Sequence, residues 1–337
     1  MKTIPPLYSL VLLCIVLVAA VMTSLLSGSY AVPVSDIFSV LFSPDDSVNA
    51  QIIHDIRLPR TLSAIICGAM LALSGVIMQV LLRNPLADPY ILGVSGGSAV
   101  GALTALSLGA SGIWLTQSAL AGAIISIFLV FGLAARGQQW SSQRLLLTGV
   151  VVSAGWGAVI NVLLTTSTAS TVQSMLFWLM GDLSQSRISL WHFAFLFICL
   201  AILLSQARAL NTLARGELLA RTLGVPVRGL NLALFLLASA MTATSVVIAG
   251  SVGFVGLIIP HLLRLAGIQD HRWLIPASAL LGAAFLTLAD CLARTMLAPQ
   301  QLPVGVLTAV IGVPIFLFML NYRQGYQHTT EGPANDD

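Results

Sequence analysis

The chain alternates long apolar runs with short polar breaks. The runs lie near residues 7–27, 61–82, 90–109, 115–135, 145–166, 189–207, 230–249, 252–267, 274–292 and 303–321. A hydrocarbon core about 30 Å thick is crossed by about 20 apolar helical residues. The pattern therefore predicts an all-α polytopic membrane protein with about ten transmembrane helices. The eighth run departs from the rest, because Gly250, Gly253, Gly256 and Pro260 interrupt it. Broken helices inside a membrane are tolerated only where protein or a water-filled cavity lines them. The first run exceeds the apolar core of about 7–15 residues found in a signal peptide, so a retained span is expected.

The longest polar connections, 28–60 and 208–229, are too short to hold a soluble domain. The organisation expected is a transmembrane domain over 1–322 followed by a disordered cytoplasmic tail over 323–337, where the residues turn polar and include Gly332 and Pro333. No strong internal repeat is visible, which counts against the inverted repeats common in secondary transporters.

Composition agrees with the pattern. The 337 residues are 57% hydrophobic and 8% charged, against about 25% charged in soluble domains. A water-facing exterior cannot be built from so few charges, and lipid must be the main solvent. A net charge of +3 on scattered arginines excludes nucleic acid as a partner. With both termini cytoplasmic, Lys2, Arg83, Arg136, Arg144, Arg208, Arg215, Arg221, Arg228, Arg264, Arg272 and Arg323 fall inside or at the inner edge, and Arg57, Arg60, Arg187 and Arg294 fall outside. That distribution satisfies the positive-inside rule. Cys14, Cys67, Cys199 and Cys291 each sit in an apolar run without CxxC or metal-ligand spacing, and read as small buried hydrophobes.

Chemistry is notable for what is missing. Lys2 is the single lysine, so no Walker A loop ending in GK[ST] is possible. If ATP drives this protein, the ATPase is another polypeptide. Catalytic constellations such as HExxH or GxSxG are absent, so the chain does not read as an enzyme. Within the spans, Asp290 reads as a helix-end carboxylate paired with Arg294 four residues on. His261, beside Pro260, reads as a packing residue at a helix break. An ion-coupled carrier usually places several ionisable groups at mid-membrane. A secondary transporter or channel is nonetheless the alternative left open.

Three segments carry functional signals. Arg57 and Arg60 precede the second span and Arg294 ends the ninth. Exposed cations on an outer face could dock an acidic partner, or simply snorkel. The double-proline turn Arg83-Asn84-Pro85-Leu86-Ala87-Asp88-Pro89 leads into Gly93, Gly97 and Gly101, whose spacing suits close helix packing. Arg215 to Leu223 reads as a short amphipathic helix with Gly224 as its terminator and Pro226 preventing resumption. It suits a groove on a cytoplasmic partner or the membrane surface.

Together these stretches resemble one family. The motifs are Arg57-Leu58-Pro59-Arg60, Asn84-Pro85-Leu86-Ala87-Asp88-Pro89 with Leu92-Gly93-Val94-Ser95, and Arg144-Leu145-Leu146-Leu147-Thr148-Gly149. Trp178-Leu179-Met180-Gly181, Ala220-Arg221-Thr222-Leu223-Gly224-Val225 and Gly253 through Arg264 follow, then Ala289-Asp290-Cys291-Leu292-Ala293-Arg294 and Leu302-Pro303-Val304-Gly305-Val306. In this order they resemble the permease subunits of type II ABC importers for iron-siderophores, haem and vitamin B12, the FecCD-type family.

The resemblance implies ten spans and a dimer with a central pathway. It also implies two cytoplasmic ATPase subunits that use the ATP, an external or periplasmic substrate-binding protein, and a place in the cell inner membrane. No cofactor is bound by such a chain. By position, Arg57, Arg60 and Arg294 look like the binding-protein docking residues, and Glu217, Leu218, Leu219, Ala220, Arg221, Leu223 and Gly224 like the ATPase coupling element. Asn84, Pro85 and Leu86 with Ser142 and Gln143 look like the cytoplasmic gate. The position before Leu302-Pro303, often acidic in the family, is Gln301 here. Ferric siderophore is the first expectation for substrate, with cobalamin close behind because Asp270-His271-Arg272 resembles the vitamin B12 permeases, and haem also possible.

Overall fold

The computed structural model describes residues 5–28, 30, 40, 47–134, 142–184 and 186–328; the side chains of 142–143 and 320–328 lie outside that description. The described residues form helices and no strand. In chain order they are α1 (Pro6–Leu26), α2 (Val48–Leu81), α3 (Val94–Ser107), α4 (Ile113–Ala134), α5 (Ser142–Thr166), α6 (Ala169–Met180) and α7 (Leu190–Ser205). Then come α8 (Ala207–Ala214), α9 (Glu217–Thr222), α10 (Val227–Ala249), α11 (Val255–Leu265), α12 (His271–Thr295) and α13 (Val304–His328).

Burial sorts helices that the sequence pattern leaves alike. The apolar window of α2 is 94% buried and that of α5 only 11%. A helix apolar on every side must have either protein or lipid around it. For α2 the surroundings are protein, chiefly α10, α11 and α12; α5 leaves most of its apolar surface uncovered by its own chain. The same reason corrects one expectation about cysteine. Cys67, Cys199 and Cys291 are buried, but Cys14 is exposed on α1, whose outward residues include Val11, Leu12, Ile15 and Val18.

Glycines set how closely the central helices meet. A Cβ on Gly68 would overlap the Gly282 carbonyl, and one on Gly282 would overlap that of Gly68, so α2 and α12 pack backbone to backbone. Gly75 does the same against Gly256 of α11, while Gly97 and Gly101 do it against Gly122 and Ser118 of α4. This is the small-residue packing expected of Gly97 and Gly101.

Among the described residues six helices are long and apolar enough to cross a membrane, and α7 with α8 makes a seventh if the 60° bend between them is counted as one span. The third and eighth predicted spans are shorter than expected. α3 has 14 residues and α11 has 11, or about 21 Å and about 17 Å of helix. Their neighbouring loops are held by protein instead of lipid. The Tyr90 hydroxyl accepts from the Val252 amide and donates to the Val252 carbonyl, both at 2.9 Å. Asp182 N–H donates to Ala249 O at 2.9 Å and Val304 N–H to Gly181 O at 3.0 Å. Those bonds satisfy the orphan groups that bare lipid could not. The 12-residue α6 lies where no span was predicted. At the other end of the chain α13 continues to His328, into the segment expected to open a disordered tail.

Pro260 sits inside α11. Proline has no N–H, so the carbonyl four residues earlier, Gly256 O, loses its helical donor. Gln79 of α2 replaces it: its Nε2 donates to Gly256 O at 3.3 Å and to Leu257 O at 3.1 Å. The Gln79 carbonyl oxygen accepts from Arg264. One amide thus serves a helix break and a half-buried arginine together.

Candidate functional site

The helix pair α2–α12 is antiparallel, and each of its ends carries one of the expected sites. At the first end, Asp290 is fully buried and its carboxylate pairs with guanidiniums from two helices. Arg60 Nε lies 2.8 Å from Oδ1 and 3.1 Å from Oδ2, and Arg294 Nε lies 3.1 Å from Oδ2. The expected Asp290–Arg294 pair is present, and Arg60 joins it from 230 residues away. Arg60 Nη1 also donates to Gln301 Oε1 at 2.7 Å, so the amide at the departing position still holds that arginine.

The other donors close α1. Its last turn contains no basic residue, yet its final carbonyls are capped from outside. Arg57 Nη1 donates to Leu25 O at 2.6 Å and Leu26 O at 3.0 Å, and its Nη2 donates to Tyr30 O. Arg294 Nη2 donates to Ser24 Oγ at 2.8 Å and Ser24 O at 3.2 Å. Cations at a helix C-terminus oppose its negative dipole end. The sequence suggested exposed cations, but Arg57, Arg60 and Arg294 are only 3%, 4% and 7% exposed. Tertiary acceptors on α1 and α12 draw the three guanidiniums inward.

A π-helical turn, Ile52–Arg57, lies inside α2 just ahead of Pro59. The wider turn absorbs the ring and missing donor of that proline, and it sets the angle at which Arg57 and Arg60 leave the helix.

At the other end lies α9, a six-residue helix started by Gly216 at φ 131° and stopped by Gly224 at φ 79°. Gly224 N–H donates to Arg221 O at 3.0 Å and Val225 N–H to Ala220 O at 2.9 Å, which fixes where the helix ends. Ala220 is buried, whereas Leu218 is 79% and Leu223 65% exposed, with Leu219 beside them. Glu217 pairs with Arg83 at 3.3 Å and with Arg221 at 3.7 Å. The expected short helix is therefore present, and Leu218 and Leu223 point away from its own chain.

The turn after α2 is stiff. Asn84 Oδ1 accepts from Leu86 N–H at 2.9 Å, and Asn84 O accepts from Ala87 N–H at 3.1 Å across Pro85. Asp88 caps the next turn by accepting from Tyr90 N–H at 2.7 Å. Burial pushes its carboxyl up to about 6, against the lowering effect of that N–H. Ser142 and Gln143 open α5, and their side chains lie outside the described residues. Among the described residues no three His, Cys, Asp or Glu side chains form a metal-holding group.

The FecCD transport family model matches residues 15–321. The chain belongs to the FecCD transport family. The vitamin B12 import system permease protein BtuC of Escherichia coli is 39% identical over 319 residues, covering 92% of this chain and 94% of the relative. The cobalamin import system permease protein BtuC of Halobacterium salinarum is 43% identical over 279 residues, 81% of this chain and 74% of the relative. A solved inward-facing metal-chelate type ABC transporter superposes with a TM-score of 0.83 at 36% identity, covering 93% of this chain and 98% of its own. PsaBC from Streptococcus pneumoniae, at 16% identity and a TM-score of 0.54, shares the fold. This FecCD permease is thus a multi-pass subunit of an ABC importer and not itself an enzyme; ATP hydrolysis belongs to a separate subunit.

Two groups in this FecCD permease escaped the sequence reading. Gln79 is a lone amide in the apolar run 61–82, and its partner Pro260 is visible only as a break in a distant run. Asn211 of α8 binds the start of α12: its Nδ2 donates to Asp270 Oδ1 at 2.7 Å, and its Oδ1 accepts from His271 N–H at 2.9 Å. The Asn211 amide, followed by the Arg272 N–H, holds the Asp270 carboxyl below the ordinary carboxylate range. The motif Asp270-His271-Arg272 pointed to the place, but not to its partner.

Proposed function

We propose that this permease imports cobalamin, as one of two copies in a homodimer bearing two ATPase subunits and an external binding protein, in the cell inner membrane. The named BtuC relatives favour cobalamin over ferric siderophore, the first expectation from family breadth. In this proposal both termini are cytoplasmic, so α9 and the Asn84 turn face the ATPases and the Asp290 cluster faces the binding protein. The chain binds no cofactor, and ATP is used by the partner subunits.

The observation that carries this reading is α9. A short helix capped by glycine at both ends and presenting Leu218, Leu219 and Leu223 outward is a preformed ridge for a groove on another protein. On closure of the ATPases the ridge moves, and with it the elements that open or shut the central pathway. Nucleotide supplies the energy by binding the two states unequally. Asn84, Pro85 and Leu86, with Ser142 and Gln143, are assigned to the inner gate. Arg57, Arg60 and Arg294 are assigned to docking: Arg60 and Arg294 share the single Asp290 carboxylate, Arg57 donates to backbone carbonyls, and the positive excess draws acidic groups of the binding protein to this rim. An ion-coupled carrier fits poorly, because Asp290 is committed to two arginines and is not free to load a proton or ion.

The test is uptake of radiolabelled cyanocobalamin by proteoliposomes holding the permease, its ATPase and its binding protein. Uptake is expected to need ATP and to be lost in Leu218→Ser/Leu219→Ser. ATP-independent accumulation by the permease alone would overturn the importer reading, and uptake of a ferric siderophore in place of cyanocobalamin would overturn the substrate.

A further inference from the structure

We propose that Asn211 is a positioning residue for energy coupling: it pins the α8–α9 hairpin to the start of α12, so that movement of α9 is delivered through the α2–α12 pair to the arginine cluster at the far end. The inference rests on α9 being the ATPase contact.

The joint is rigid. Asn211 makes three short contacts with two consecutive residues. Its Nδ2 donates to Asp270 Oδ1 at 2.7 Å, and its Oδ1 accepts from His271 N–H at 2.9 Å and meets His271 Nδ1 at 2.7 Å. Asp270 Oδ1 also caps α12 through Arg272 N–H at 2.9 Å. One amide therefore bonds α8 to the first turn of α12. On the other side of Asn211 there is no slack. α8 ends at Ala214 and α9 begins at Glu217, with Gly216 N–H donating to Leu213 O at 3.0 Å and Ala220 N–H to Gly216 O at 3.1 Å across the join.

From there the path runs along the bundle. α12 has 25 residues, about 37 Å of helix, and is locked to α2 by backbone contact at Gly68 and Gly282. Its far end holds Asp290 between Arg60 and Arg294. α2 returns to the starting point, where Arg83 meets Glu217 of α9 at 3.3 Å. That surface pair is weak, whereas the Asn211 contacts involve a buried His271 and a capping carboxylate. Asn211 is the stronger of these two polar joints and acts beside the apolar packing of Leu210 and Leu213 in the core. Chains of packed helices and hydrogen bonds of this kind carry energetic coupling between distant sites.

Asn211→Ala is expected to leave ATPase assembly and basal hydrolysis intact and to lower both cyanocobalamin uptake per ATP and binding-protein stimulation at least about fivefold, the low end of measured coupling between sites. Asp270→Asn keeps an acceptor for Asn211 and should stay near wild type, while Asp270→Ala should uncouple. Asp270→Ala removes one of the three Asn211 contacts, so Asn211→Ala/Asp270→Ala should be no worse than Asn211→Ala alone. If Asn211→Ala fails to assemble, the Asp270→Ala and Asp270→Asn pair carries the comparison. A merely structural role would lower thermal stability and leave uptake per ATP unchanged. Leu218→Ser/Leu219→Ser, measured in parallel, separates the two readings. If it uncouples while Asn211→Ala and Asp270→Ala keep the ratio within twofold of wild type, this inference alone falls. If it leaves ATPase attachment and coupling intact, the α9 reading falls, and this one with it.

Discussion

Asp290 offers the sharpest test of the rim. Its carboxylate is fully buried and pairs with two guanidiniums that are themselves buried. Asp290→Asn keeps the shape and removes the charge. Arg60 would retain its bond to Gln301, and Arg294 its bonds to Ser24, but two cations would remain buried with neutral partners only. Breaking a buried pair by removing one partner costs about 3–5 kcal/mol, a large share of a total of about 5–15 kcal/mol. Replacing the whole cluster, as in Arg60→Met/Asp290→Leu/Arg294→Leu, removes the stranded charges and should recover part of the loss. What stays lost is the Arg294 cap on Ser24, about 1.5–3 kcal/mol for bonds from a charged donor. The assay is equilibrium unfolding of the purified chain by SDS in mixed micelles, with helicity as the readout. Because the pair is buried, about 1 M salt should leave the Asp290→Asn deficit in place, although it screens exposed pairs within about 3 Å. A deficit below about 1 kcal/mol, or one that salt abolishes, would refute the buried-cluster reasoning.

Other outcomes are equally specific. Gly75→Ala should push α2 from α11 and cost about 1–3 kcal/mol, read by the same titration; an unchanged midpoint would mean that the helices do not touch there. Gln79→Leu strands the Gly256 carbonyl and the Arg264 partner, and should cost about 1–3 kcal/mol for each group left unsatisfied, with Gln79→Glu less damaging because it still faces Arg264. The Asp88 carboxyl, raised to about 6 from 3.8, binds its proton more tightly folded than unfolded. Its contribution to stability should therefore fall as pH rises from about 4 to about 6 and stay flat above. Asp88→Asn keeps the capping acceptor and should remove that slope in thermal melts. Gln301→Glu adds a carboxylate beside Arg60 at an exposed position and should stabilise by no more than about 1 kcal/mol.

The apolar runs by themselves determined the class and most of the helices, because the bilayer imposes one length on anything that crosses it. Gly216, Gly224 and the leucines between them determined α9, since a helix this short is defined by its own caps. The single lysine excluded a resident Walker A loop, whatever the fold. Tertiary structure decided everything that depends on partners distant in sequence. Hydropathy is nearly the same for α2 and for α5, yet one is enclosed by its own chain and the other is left uncovered by it, because a membrane, a partner subunit and a protein core reward the same apolar side chains. Arg57, Arg60 and Arg294 looked like surface cations until the ends of α1 and α12 supplied acceptors for them. Gln79 and Asn211 carry no local signal at all. Each matters because folding brings it to a group whose normal partner is missing or whose helix is just beginning, and a buried polar group must find a bond somewhere.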